Sequence, residues 1–78
     1  MQYVYATSDL GVASFLSTLG YRLEALNRLD PKRVEFCFLR DEQLDAAIEA
    51  YWKGTAKISP LALFTNQKIL KHRLYDHI

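Results

Sequence analysis

Val34 to Leu39 constrains the fold more than any other stretch of this chain. Val34, Phe36 and Phe38 alternate with Glu35, Cys37 and Leu39, so beyond Glu35 an extended segment here is apolar on both sides. That is the pattern of a central strand, which needs partners in a sheet and cover on its faces. Partners are at hand on both sides of the chain. Tyr21, Leu23 and Ala25 alternate with Arg22 and Glu24, which suits a strand with one wet face, and the turn formers Asn27, Asp30 and Pro31 are expected to end it between Asn27 and Lys32. The two strands then form an antiparallel pair. Gln2 to Ala6, with Tyr3 and Tyr5 on one side and Val4 on the other, reads as an earlier strand.

Helical periodicity fills the gaps between these strands. Thr7, Ser8 and Asp9 offer N-cap oxygens for a helix running to Leu19, with Val12, Phe15, Leu16 and Leu19 as its inner face and Gly20 as its left-handed stop. Because this helix joins the first two strands, it permits a parallel right-handed crossover if they share a sheet. Asp41 is placed to cap a second helix, in which Leu44, Ala47, Ile48, Tyr51 and Trp52 recur at core spacing while Glu42, Asp45 and Glu49 face out. Gly54 ends it. Residues 55–59 form a short strand or an extended connection, and Ser59-Pro60 supplies the N-cap and first-turn pair of a last helix with Leu63, Leu70 and Leu74 inside. On this reading Trp52→Ala costs several kcal/mol more than Lys71→Ala, since truncating a core aromatic costs about 3 to 5.

The order is strand, helix, strand, strand, helix, optional short strand, helix. The expected class is α+β, with mixed α/β as the alternative, and a sheet of three to four strands with three helices. Residues 1–78 make one small domain, of a size that buries about 60 to 65% of its unfolded surface. Half of the residues are hydrophobic and 24% charged, which excludes a disordered chain. No stretch reaches the length of a membrane span, no leader pattern opens the chain, and one cysteine cannot form an internal disulfide, so a cytoplasmic setting is expected.

The net charge of +1 conceals a polarity along the sequence. From Arg40 to Trp52 one cation stands against Asp41, Glu42, Asp45 and Glu49, whereas from Lys53 onward Lys53, Lys57, Lys68, Lys71 and Arg73 stand against Asp76. Within the basic part, Phe64, Lys68, Lys71 and Tyr75 follow one another by four, three and four residues and so share one side of the last helix, with His72 and Arg73 extending its charge. Lysines neutralise phosphates and aromatic rings stack on unpaired bases, so this stripe suits nucleic acid. It suits a core or dimer contact better, with the lysines reaching past the rings into water, because two lysines and an arginine are few for a basic footprint.

Other reactive residue types fall into poorer patterns. Cys37 sits between phenylalanines rather than beside the cations or histidine that a thiolate needs. His72 and His77 are rotated about 140° apart on a helix and cannot share a metal. Glu42, Asp45 and Glu49 on one straight helix leave most of a cation's coordination to water. Thr7 to Asp9 lacks the glycine-rich loop and lysine of a phosphate cradle, so capping accounts for it.

Taken together, Thr7-Ser8-Asp9-Leu10 with Ala13 and Leu16, Gly20-Tyr21, Val34 with Phe36 and Phe38, Tyr51-Trp52 with Gly54, and Lys68, Leu70, Lys71 and Tyr75 resemble a bacterial family of short stand-alone domains of unknown function. The resemblance implies a compact domain without an assigned activity and carries over no catalytic residue. The expectation is an interaction domain that is not an enzyme and takes no cofactor or metal. It binds a protein partner or a second copy of itself through Phe64, Lys68, Lys71, Arg73 and Tyr75, and the alternative is nucleic-acid binding by the basic last helix.

Overall fold

The computed structural model describes residues 3–76, with side chains to Tyr75. Its elements are β1 (Val4–Thr7), α1 (Leu10–Thr18), β2 (Leu23–Asp30), β3 (Arg33–Leu39), α2 (Leu44–Lys53) and α3 (Pro60–Asp76). The strands form one antiparallel sheet in the order β1-β3-β2, so the strand with two apolar faces is indeed the middle one and the fold is α+β. Since β1 and β2 are each antiparallel to β3, they run in the same direction but are separated by it. The connection through α1 thus spans a split pair rather than two neighbours. Residues 55–59 take the extended connection, with no fourth strand.

One face of the sheet carries the core. Phe38 stands opposite both Tyr5 and Leu23, and Phe36 opposite Leu26, so these side chains form rows on a single face. Val12, Ala13, Phe15 and Leu16 of α1, Leu44 of α2 and Leu70 of α3 close over Phe36 and Phe38. Ser14, also buried, satisfies itself by donating its hydroxyl to Leu10 O at 2.7 Å. Thr18 does the same to Ser14 O, and its oxygen then accepts from Asn66 Nδ2 at 3.1 Å, tying α3 to α1. The opposite face of β3 is less covered than its apolarity predicts. Cys37 is sheltered, but Leu39 and its partner Val4 are exposed.

Helix ends follow their local chemistry. The Asp9 carboxylate accepts from Val12 N at 3.1 Å, and Ser59 Oγ accepts from Ala62 N at 3.3 Å. Gly20 and Gly54, at φ 101° and 75°, close α1 and α2. In each case the N–H of the residue after the glycine reaches back five residues to a carbonyl in the last turn, Tyr21 to Leu16 and Thr55 to Ala50.

Several expectations need correction. β1 is shifted to Val4–Thr7, and Gln2 lies outside the described residues. β2 begins at Leu23 and passes through Asn27 to Asp30, because the turn needs only Pro31 and Lys32. Asp30 Oδ1 secures that turn by accepting from Lys32 N at 2.8 Å, and two register shifts along β2 absorb its extra length. Leu19 is the exposed C-cap of α1 rather than part of its inner face. Asp41 does not cap α2, which starts three residues later at Leu44. Its carboxylate instead holds the preceding turn by accepting from Gln43 N at 2.9 Å. Trp52 is 64% exposed, edge-on to Tyr51 with ring centres 5.0 Å apart. A large cost for Trp52→Ala is therefore no longer expected.

Candidate functional site

Helix α3 buries Leu70 and half-buries Leu63 and Leu74, which fixes the orientation of the rest of its surface. The Phe64, Lys68, Lys71, Tyr75 stripe consequently lies outside the core: Phe64 is 58% and Tyr75 72% exposed, and both lysines are exposed. Lys68, Lys71, His72 and Tyr75 surround a shallow depression of about 180 Å³. Arg73 does not join them. It lies about 180° round the helix from Phe64, on the far flank, and leaves the group that the sequence assembled.

Folding brings two other cations to the stripe. A groove of about 260 Å³ runs between the end of α3 and the β2–β3 turn, walled by Arg28, Pro31 and Lys32 on one side and by Lys71 and Tyr75 on the other. Leu10, Val34 and Leu74 make it apolar inside. Arg28 reaches over the turn to donate to Pro31 O at 3.3 Å. Among the described side chains, ion pairs join Arg22 to Glu24, Arg40 to Asp45 and Lys53 to Glu49, and none engages Arg28, Lys32, Lys68 or Lys71. The stripe thus continues into a cation-rimmed apolar groove. Arg28 and Lys32 are some forty residues from Lys71, and no spacing rule connects them.

A second cleft, of about 280 Å³, lies at the other end of β3 between Leu19, Gly20, Tyr21, Asp41, Gln43 and Ala47. Here Tyr21 Oη donates to Asp41 Oδ1 at 2.6 Å. Burial, the hydrogen bond and the carboxylate's charge push the phenol up to about 12, while the same hydrogen bond, aided by the Gln43 and Leu44 N–H groups, holds the Asp41 carboxyl below the usual range. Near neutral pH the acid keeps its proton and the base declines one. The pair acts as a latch between the end of α1 and the start of α2, and is poorly tuned for proton transfer.

The remaining candidates are separated by their partners. Asn27 Nδ2 donates to the Cys37 sulfur at 3.2 Å, but burial pushes the thiol up and the Glu35 charge adds to it, so the thiolate form is disfavoured. Asp45 is engaged by Arg40, whose guanidinium also lies 5.5 Å from the Tyr5 ring centre, and Glu49 by Lys53 at 2.8 Å. Among the described residues no group of three or more His, Cys, Asp or Glu is arranged to hold a metal ion, and no helix is long and apolar enough to cross a membrane. His72 is exposed, and His77 lies outside the described residues.

A three-stranded sheet with helices closing one face and a solvent-facing aromatic and basic helix stripe defines a small α+β domain. The chain belongs to the family described as a domain of unknown function, DUF5659, whose model matches residues 2–76. No curated protein and no solved structure matches it.

Proposed function

We propose that this chain is a single-domain, non-catalytic interaction module of the bacterial cytoplasm that meets a protein partner, or a second copy of itself, through the outer side of α3. The observation that carries this reading is the exposure of Phe64 and Tyr75 with Lys68 and Lys71 between them. Large aromatic rings kept in water beside cations that no described carboxylate engages are a source of binding free energy, because covering apolar surface yields about 25 cal/mol per Å². The resting protonation states of Tyr21 and Asp41 support the non-catalytic part, and the sheltered Cys37 suits a reducing compartment. In-cell photo-crosslinking from positions 64 and 75, with the comparably exposed Leu29 as control, tests the face. Discrete adducts specific to 64 and 75 are expected, and identical patterns from all three positions would remove the reading.

Nucleic-acid binding is the second reading, favoured by the way Arg28 and Lys32 join Lys71 around the groove. It requires binding to single-stranded oligonucleotides that falls steeply with salt and falls again in Lys68→Glu and Lys71→Glu. No binding at low salt excludes it.

A further inference from the structure

The groove specifies what fits it. At about 260 Å³ it is smaller than the roughly 300 to 1,000 Å³ of small-molecule sites, which makes it a seat for one anchoring side chain rather than for a cofactor. Its interior of Leu10, Val34 and Leu74 asks for an apolar ring, and its rim of Arg28, Lys32 and Lys71 asks for carboxylates beside that ring. A nucleobase would bring polar edges that these interior side chains cannot satisfy.

The molecule carries the matching surface itself. Asp45, Glu49 and Trp52 follow one another by four and three residues, the same steps as Phe64, Lys68 and Lys71, and all three are exposed along one stripe of α2. Among the described side chains Glu49 pairs with Lys53 alone, in a pair open to water at both ends, so it can exchange partners at little cost. No α2 residue lines the groove, which is at the start of β3, whereas α2 follows its end. We infer that the groove between the β2–β3 turn and α3 receives Trp52, with Glu49 beside it, from the α2 stripe of a second copy of this chain. The inference rests on the reading of α3 as the interaction face and names its occupant. The surface on α2 and the groove on α3 differ, so the contact is heterologous unless a two-fold axis uses both twice.

Trp52 is the one tryptophan and hence a direct reporter. The experiment follows its emission together with sedimentation of the purified full chain over a wide concentration range, at low and high salt. Rising concentration at low salt is expected to shift the emission to the blue as association proceeds, and salt to reverse both. Lys71→Glu and Glu49→Lys each weaken association about tenfold or more, and mixing the two restores it, because each variant alone sets its altered surface against its own like-charged unaltered one, whereas in the mixture the unaltered groove of one meets the unaltered α2 stripe of the other. Trp52→Ala, at an exposed site, gives an independent sedimentation check, and circular dichroism verifies that each variant is folded. A monomer with constant emission at every concentration, association indifferent to all three variants, or oligonucleotide binding by a strict monomer overturns the inference. Crosslinks from positions 64 and 75 to a different protein, with the purified chain monomeric, would remove the second copy while leaving the α3 face standing.

Discussion

The two clefts at the ends of β3 have nearly the same volume, about 280 and 260 Å³, and opposite chemistry. The Tyr21–Asp41 cleft is closed on itself, with its donor facing its acceptor and both held in their resting protonation states. The α3 groove has an apolar interior and cations that no described carboxylate engages. The difference shows that a concavity suggests a partner by the valences it leaves open, not by its size. Local satisfaction turns the first cleft into a structural joint.

Because both clefts hang from the ends of one strand, a lesion in its middle should abolish both. Phe38, fully buried and paired on either side, is the place: Phe38→Ala is expected to cost about 3 to 5 kcal/mol in chemical denaturation, enough to unfold a domain this small. A folded Phe38→Ala protein losing less than 1 kcal/mol would dissociate the clefts from the strand. A smaller effect separates joint from groove. Gly20 walls the first cleft at φ 101° with open space where a Cβ would stand, so Gly20→Ala meets only backbone strain, about 1 kcal/mol, without altering the groove. Retained melting temperature would show that the αL turn is dispensable.

Acid and alkali sharpen the contrast further. Asp41 has a lowered folded-state pKa, so its contribution is present above the ordinary carboxylate pKa and lost as pH falls through the lowered one. Tyr21 has a raised pKa, so its contribution is complete below about 10 and lost as pH rises through about 12. Tyr21→Phe removes the alkaline effect and diminishes the acid one. Parallel melting-versus-pH curves for the two proteins would deny the latch. The smallest effects belong to the open surface: Trp52→Ala and Tyr75→Ala should each change stability by about 0.5 kcal/mol or less, measured by the same denaturation. A loss of several kcal/mol from either would mean that its ring is part of the core.

What could be read in advance was local. Asp9, Gly20, Gly54 and the Ser59-Pro60 pair act within one helical turn, so their roles are written in adjacent residues, and the two apolar sides of Val34 to Leu39 announced the middle of the sheet. Periodicity proved too coarse at the borders of helix faces. Leu19 and Trp52 fall at the edge of the apolar sector, where a rotation of one residue decides between core and water, and Arg73 was grouped with a stripe it opposes. The groove was illegible because Arg28, Lys32 and Lys71 meet only after the β2–β3 turn folds against the end of α3. Tyr21 and Asp41 are likewise twenty residues apart, with ordinary neighbours that give no sign of pairing.

The split order of the strands also sets a sequence of assembly. β2 and β3 close through a two-residue turn, whereas Val4 must find Leu39 across nearly the whole first half of the chain. Loop closure favours the hairpin as the early unit and makes β1 the late arrival. In the native protein the same asymmetry runs backwards: β1, short and at an edge, is the strand whose amides should exchange first, baring one side of β3 while the hairpin is still paired.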